Sequence, residues 1–202
     1  MATARSSPVE TEIKLAVPGA ALARRQLRAA GFRIFHRRSF EANVVFDTPN
    51  LRLRASNCLL RVRETARKVK LTYKGPPQAA AKHKSREELE IEGGDVRTWR
   101  TIWERLGFQP VFRYEKYRSE YRGNGPGVVT MDETPIGVYL ELEGPPAWID
   151  RTARRLGFAE KEYITASYGQ LYREWCEKNR CQPGNMVFRA GAKKGAVPRL
   201  GR

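Results

Sequence analysis

Alternating charged side chains in short extended segments constrain the fold of this chain more than any other feature of its sequence. In a β-strand, successive side chains point to opposite faces, so Glu10, Glu12 and Lys14 share one face while Thr11 and Ile13 share the other. Two carboxylates on one face of a strand repel each other, and local stability does not explain why both are present. A cation that bridges them would explain it, and the lysine suggests an anion further along the same face.

The same alternation recurs along later segments of the chain. The charged positions are Arg61 and Arg63; Lys70 and Lys74; Arg86, Glu88, Glu90 and Glu92; Lys116 and Arg118; and Glu141 and Glu143, with Asp132 on the segment before. An antiparallel sheet commonly solvates one face, so a solvated charged face is the alternative interpretation. Full charges at nearly every position, with like signs grouped by strand, favour a ligand-binding face, because facing like charges cost ~0.2–1 kcal/mol per pair.

The mixture of charges indicates the chemistry of that ligand. Carboxylate oxygens bind hard cations such as Mg²⁺ or Mn²⁺. Arginine binds phosphate oxygens in bidentate pairs, and lysine binds them as a point charge. A face that carries both therefore predicts a metal-bound polyphosphate.

Turn-forming residues divide the chain into about eight mostly consecutive strands with helices between some of them. The predicted strands are Val9–Ala16, Phe32–Phe46, Cys58–Thr65, Lys68–Lys74, Ser85–Glu92, Phe112–Tyr121, Val128–Asp132 and Val138–Glu143, and the predicted helices are 18–30, 95–106, 147–156 and 164–178. This order predicts an antiparallel α+β protein, and many strands without a spare edge favour a closed barrel. We expect a flexible lead over residues 1–8, one domain over 9–179 and a basic, disordered tail over 180–202.

The charge balance predicts polyanionic partners. The chain has 38 lysines and arginines against 22 acidic residues, a formal net charge of +16, which is typical of proteins that bind nucleic acid, nucleotides or phosphates. The basic tail adds a possible contact for polyanions. No apolar run approaches the ~20 residues needed to cross a bilayer, so we expect a cytoplasmic protein without a membrane partner. Two histidines give little support to a histidine-based zinc site or catalytic triad.

Several motifs in order resemble those of the CYTH superfamily, also called triphosphate tunnel metalloenzymes. The matching elements are Glu10-x-Glu12-x-Lys14, Phe46-Asp47-Thr48-Pro49, Leu60-Arg61-Val62-Arg63, Leu71-Thr72-Tyr73-Lys74, Arg86-Glu87-Glu88-Leu89-Glu90, Lys116-Tyr117-Arg118, Asp132, Gly137-Val138-Tyr139-Leu140-Glu141-Leu142-Glu143 and Ser167-Tyr168. Each motif is weak alone, but their order over about Val9 to Trp175 is specific. The resemblance implies an eight-stranded antiparallel β-barrel that forms a tunnel, with charged side chains inside and apolar side chains outside beneath helices.

The resemblance also implies an activity. We expect metal-dependent hydrolysis of an inorganic or organic triphosphate, such as inorganic triphosphate, ATP or thiamine triphosphate, with Mg²⁺ or Mn²⁺ as cofactor. The first alternative is a class IV adenylyl cyclase that converts ATP to cyclic AMP and pyrophosphate. The second is a non-catalytic module that binds polyphosphate or RNA. Both monomeric and oligomeric states are compatible with the sequence.

The resemblance assigns roles to residues of the charged face. The expected phosphate-binding residues are Lys14, Arg61, Arg63, Lys74, Arg86, Lys116 and Arg118. The expected metal ligands are Glu10, Glu141 and Glu143, with Asp132 close by. The expected catalytic residues are Lys14 and the three glutamates that could hold a second metal or position the attacking water, Glu12, Glu88 and Glu90.

Overall fold

Eight antiparallel strands form a closed barrel in the computed structural model, which describes residues 9–78 and 82–189. The strands are β1 Val9–Val17, β2 Arg33–Asp47, β3 Leu59–Glu64, β4 Val69–Lys74, β5 Lys84–Glu92, β6 Gln109–Arg122, β7 Val128–Thr134 and β8 Gly137–Glu143. Their order around the barrel is β1-β5-β4-β3-β2-β6-β7-β8, and every neighbouring pair is antiparallel. The predicted α+β class and the predicted eight-stranded barrel are confirmed.

The strand register places the charged positions on one face, as the alternation predicted. Lys14 of β1 lies opposite Glu141 of β8. Arg118 of β6 lies opposite Asp132 of β7. Because side chains that are directly opposite across two strands point to the same face, this register carries the charged face from strand to strand around the barrel interior.

In the described part of the chain, five helices and one short 3₁₀ turn lie outside the barrel. The helices are α1 Ala20–Ala29, α2 Arg52–Ala55, α3 Val96–Arg105, α4 Pro146–Arg155 and α5 Tyr168–Lys178, with a 3₁₀ turn at Glu160–Glu162. Within the described ranges, none of the helices is long and apolar enough to span a membrane. The largest apolar cluster lies between the outer faces of β1 and β8 and the helices α1 and α4; Leu15 and Leu140 on the strands and Leu27 and Ile149 on the helices are fully buried in it.

Helix α5 begins four residues later than the predicted start at Ile164. The backbone of Ile164 forms two hydrogen bonds with the backbone of Lys14, one in each direction, at 2.8 and 2.9 Å. This bridge requires an extended conformation at Ile164, which excludes the helix there. Ser167 then caps the helix by accepting a hydrogen bond from the backbone N–H of Gln170.

The aromatic-Asp-Thr-Pro motif stabilises a turn and a short helix that the sequence did not predict. The Asp47 carboxylate accepts hydrogen bonds from the backbone N–H groups of Leu53 and Arg54, both at 2.9 Å, and from that of Thr48 at 2.7 Å. The N–H groups of Leu53 and Arg54 belong to the short helix α2, and that of Thr48 belongs to the turn that precedes it. The role of this buried aspartate is therefore structural.

The end of the described chain differs from the prediction of a disordered tail from residue 180. Residues 185–188 lie along β6, and Met186 pairs with Tyr114 as a parallel β-bridge. Strand β7 pairs with β6 only from Tyr117 onward, so the preceding residues of β6 can form backbone hydrogen bonds with the segment around Met186. The side chain of Met186 is buried. Predictions for residues 1–8 and 190–202 concern parts of the chain outside the described residues.

Candidate functional site

A cavity of about 2150 Å³ runs through the barrel and is lined by side chains of the charged face. Every sequence-predicted site residue lines it except Asp132, which is fully buried in the wall. The start of α5, including Tyr168, contributes to the lining at one end. The alternation of the strands has therefore brought residues that are far apart in the sequence, from Glu10 to Glu143, into one shared space.

Lys14 lies between two carboxylates in the cavity wall. Its Nζ is 3.2 Å from Glu12 and 3.3 Å from Glu141, and all three side chains are almost completely shielded from solvent. Burial alone would lower the pKa of Lys14, but the charges of Glu12 and Glu141 outweigh it and raise the pKa above its usual value. The ammonium group is therefore permanently charged at a fixed position, as a phosphate-binding lysine requires.

Asp132 accepts hydrogen bonds from three side chains of the same wall. Arg118 donates to both of its oxygens, at 2.7 Å from Nε and 2.6 Å from Nη2. Lys116 Nζ and the Tyr168 hydroxyl each donate to Oδ2 at 2.7 Å. Arg118 also contacts Glu141. The geometry therefore makes Asp132 the group that orients Lys116 and Arg118 toward the cavity.

Three glutamates and one lysine meet near the start of β1. Lys74 Nζ lies 2.6 Å from Glu88 and also contacts Glu10. Burial, followed by the hydrogen bond to Glu10, raises the pKa of Glu88 to about 8. Desolvation in the cavity and the charge of Glu10 raise the pKa of Glu143 to about 7. Burial opposes ionisation of Glu10 too, but its hydrogen bond to Glu88 and the charge of Lys74 lower its pKa to about 2.

The opposite wall carries two arginines that donate hydrogen bonds to neutral side chains. Arg61 donates to the Tyr114 hydroxyl at 3.1 Å and to Thr72 Oγ1 at 3.0 Å, and its nearest carboxylate, Glu90, is 3.8 Å away. Arg63 donates from Nε to the Asn43 side chain at 2.9 Å. The guanidinium of Arg61, oriented by neutral partners, keeps most of its charge available for an anion, whereas Arg63 also faces the Glu41 carboxylate at 3.3 Å.

Sequence reasoning missed the contribution of β2. Glu41 lies 3.3 Å from Arg63 and 3.6 Å from Lys116, and it is buried. The charges of Arg63 and Lys116 outweigh the effect of burial and lower the pKa of Glu41 to about 2. The signal was available, because Glu41 and Asn43 alternate in the same way as the charged positions of the other strands. Sequence reasoning also missed Tyr114 and Lys84, which belong to the alternation of β6 and β5.

The donor set fits a hard divalent cation in its chemistry. Glu10, Glu141 and Glu143 supply carboxylate oxygens to the same cavity, and a cation there would offset both the burial and the charge of Glu10 that raise the pKa of Glu143. In the described part of the chain, no three acidic, histidine or cysteine side chains converge closely enough to form a complete metal site. A cation in this cavity would therefore take further ligands from phosphate oxygens and water, as Mg²⁺ commonly does.

Comparison with known proteins agrees with this geometry. The family model of the CYTH domain matches residues 9–168. A protein of Methanocaldococcus jannaschii named "Putative adenylate cyclase MJ0240" is 30% identical over 135 residues, which are 67% of this chain and 76% of that protein.

Solved structures with the same fold include PH1819 of Pyrococcus horikoshii OT3, with a TM-score of 0.69 and 25% identity, covering 82% of this chain and 98% of that one. Another is "Putative adenylyl cyclase HpAC1" from Hippeastrum, described with a dominant triphosphatase activity, with a TM-score of 0.58 and 20% identity, covering 82% of this chain and 95% of that one. With the family model matching most of its length, the chain belongs to the CYTH domain family.

Proposed function

We propose that this protein is a metal-dependent triphosphatase that hydrolyses a linear triphosphate inside its barrel. The observation that carries the proposal is the convergence of buried cations and carboxylates from all parts of the barrel wall on a single cavity. Such a cavity binds several adjacent phosphate groups and stabilises the charge that develops when one of them leaves.

In this proposal the cations bind the phosphates and orient the chain of phosphate groups. Arg61 and Arg63 bind from one wall, and Lys116 and Arg118 bind from the wall that Asp132 supports. Lys14 and Lys74 bind between these walls and would exchange part of their carboxylate contacts for phosphate contacts. Arg86 completes the set from β5.

Glu10, Glu141 and Glu143 would hold the divalent cation, Mg²⁺ or Mn²⁺. When bound, it would neutralise negative charge on the phosphate oxygens. Both oxygens of Asp132 already accept hydrogen bonds from Arg118, and one of them also accepts from Lys116. We therefore propose that Asp132 supports these two cations and does not bind the metal directly.

We propose that one of the remaining glutamates, Glu12, Glu88 or Glu90, takes the proton of the attacking water. The water oxygen forms a bond to the terminal phosphorus, the bond from that phosphorus to the bridging oxygen breaks, and phosphate and a diphosphate leave. Glu12 is held by Lys14 at 3.2 Å, and Glu90 accepts a hydrogen bond from Thr72 at 2.9 Å. Both therefore have fixed positions from which a water can be oriented.

Cyclisation of ATP is the second candidate, favoured by the name of the Methanocaldococcus jannaschii relative. The same cations could hold the triphosphate while the ribose 3′-hydroxyl attacks the α-phosphate. We favour hydrolysis because the four tryptophans, the strongest stacking partners for adenine, pack outside the barrel: Trp99 and Trp103 on α3, Trp148 on α4 and Trp175 on α5. The dominant triphosphatase activity described for the Hippeastrum protein gives the same preference.

The test is product analysis with inorganic triphosphate, ATP and thiamine triphosphate, each with Mg²⁺ or Mn²⁺ and with excess chelator. We expect phosphate release that stops with chelator, and a loss of at least ~10²-fold in Glu12→Gln and in Arg61→Ala, as removal of one electrostatic contact to a transition state commonly causes. Glu87→Gln, on the outer face of β5, is the matched control and should stay close to wild type. Cyclic AMP as the main product, or near-normal rates in either cavity variant, would refute the proposal.

A further inference from the structure

Among the described residues, two of the shielded cations that the strands direct into the cavity have no acidic partner. Nine buried or half-buried lysines and arginines project from the strands into the cavity: Lys14, Arg61, Arg63, Lys70, Lys74, Lys84, Arg86, Lys116 and Arg118. Seven of them have a carboxylate oxygen within 4.0 Å. Among the residues that the structure describes, Lys84 and Arg86 form no ion pair, and Arg86 Nε is buried without a hydrogen-bond partner.

The surroundings of Lys84 are positively charged. Desolvation, followed by the charges of Arg86 and Lys14, lowers the pKa of Lys84 to about 8, and Lys74 acts in the same direction. Glu12, which lies opposite Lys84 across β1 and β5, opposes these effects but does not cancel them. A cluster of buried cations with too few carboxylates costs free energy in the protein alone, and a bound anion would remove that cost.

The backbone that carries Lys84 is fixed on both sides. The preceding residue, His83, is hydrogen-bonded to Asp150 of α4 at 2.8 Å. The following residue, Ser85, is hydrogen-bonded to the Thr11 hydroxyl at 2.8 Å, and its carbonyl accepts from the backbone N–H of Gln78 at 2.7 Å. Lys84 is therefore held at its place on the inner face, although none of the described residues forms an ion pair with its charged group.

We propose that Lys84 and Arg86 together form a phosphoryl subsite on β5, and that Lys84 is a substrate-binding residue of this cavity. The two side chains lie two positions apart on one face of the same strand, so both reach the same part of the cavity. An oxyanion there would receive a bidentate contact from the guanidinium and a point charge from the ammonium. The inference rests on the proposed function in requiring a polyphosphate ligand, but it concerns binding and does not require turnover.

Lys84→Met provides a test because binding and stability should change in opposite directions. Binding of inorganic triphosphate, measured by calorimetry without divalent cations so that no turnover occurs, should weaken by at least ~10-fold, the usual loss for a charge-assisted contact. The midpoint of thermal unfolding without ligand should stay the same or rise, because an unpaired buried charge has been removed. Arg86→Gln should weaken binding similarly. Lys161→Met, on the exposed 3₁₀ turn, is the control and should match wild type in both measurements.

The outcomes separate this inference from the proposed function. Unchanged triphosphate binding in Lys84→Met would overturn the subsite even if the protein is a triphosphatase, and a lowered unfolding midpoint with unchanged binding would give Lys84 a purely structural role. Weakened binding without hydrolysis of any substrate would keep the subsite and refute the triphosphatase. If the variant does not fold, acylation of the wild-type lysines, followed by mass spectrometry, decides the question: inorganic triphosphate should protect Lys84 and leave Lys161 reactive, and equal labelling of Lys84 with and without triphosphate would overturn the proposal.

Discussion

At the scale of single residues, Asp132 illustrates how a buried charge supports a site without lining it. Its carboxylate accepts from Lys116, Arg118 and Tyr168, and it is fully shielded from solvent. Asp132→Asn keeps the shape but leaves two buried cations with less compensating charge, so we expect a loss of ~3 kcal/mol in the free energy of unfolding. Tyr168→Phe removes only one hydrogen bond to the same carboxylate and should cost about 1 kcal/mol. Chemical unfolding of both variants measures the difference, and equal losses would contradict this role.

A second prediction at this scale concerns pH. The pKa values of Glu88 and Glu143 are raised to about 8 and about 7, above the ordinary value of 4.5, by burial and by Glu10. Between pH 5 and pH 7 these carboxyl groups are therefore mostly ionised in the unfolded chain but still largely protonated in the folded chain, so stability should fall with rising pH, by ~1 kcal/mol or more. Glu10→Gln removes the central negative charge and should flatten this dependence, whereas Glu87→Gln on the outer face should not.

Unfolding at pH 5, 6 and 7 in the presence of a chelator measures this dependence. The comparison between Glu10→Gln and wild type isolates the glutamates from other groups that titrate in the same range. Identical slopes for the two proteins would show that the three glutamates do not share protons in the folded state.

At the scale of elements, the segment after α5 is part of the barrel wall. Met186 is buried against Tyr114, Ile136 and Tyr168, and its backbone bonds to β6 where β7 has ended. Met186→Ala should lower the free energy of unfolding by ~2–5 kcal/mol, as is usual when a buried methionine is truncated. Gln182→Ala, on an exposed side chain of the same segment, is the control. Equal denaturation midpoints for the two variants would show that this segment does not stabilise the barrel.

The strands and the charged face could be predicted from the sequence, whereas the C-terminal segment could not. Alternation with period two encodes both strand and face locally, and this pattern alone is enough to group Lys14, Arg61 and Glu141 correctly. The segment around Met186 has no such period, because only one of its side chains is buried and its position depends on where β7 ends. The position of Asp132 inside the wall, away from the cavity, also depends on tertiary contacts that no local sequence pattern reveals.

At the scale of the whole molecule, the barrel reverses the usual distribution of polar and apolar side chains. Its outer face packs against helices through Leu15, Leu140 and other apolar side chains, while most of the cations in its interior form ion pairs with carboxylates. Burying paired charges costs free energy, because desolvation can exceed their mutual attraction. We therefore expect a protein to retain many of them only where they bind a ligand. The positive charge of the chain is therefore divided between exposed arginines and buried cations. Dissolved salt screens the charges of the exposed arginines and screens those of the buried cations much less.

This division predicts how triphosphate binding responds to salt. We expect inorganic triphosphate, added without divalent cations, to raise the unfolding temperature of wild type, and at least half of the rise to persist in ~0.5 M NaCl, where the Debye length of about 4 Å abolishes most surface attraction. Arg61→Ala should lose most of the rise at both salt concentrations because Arg61 lines the cavity. Arg25→Ala, on the exposed face of α1, should behave as wild type. A rise that vanishes in high salt and is unaffected by Arg61→Ala would place triphosphate on the basic exterior and favour a polyanion-binding module over an enzyme, because binding at exposed phosphate contacts weakens steeply with salt.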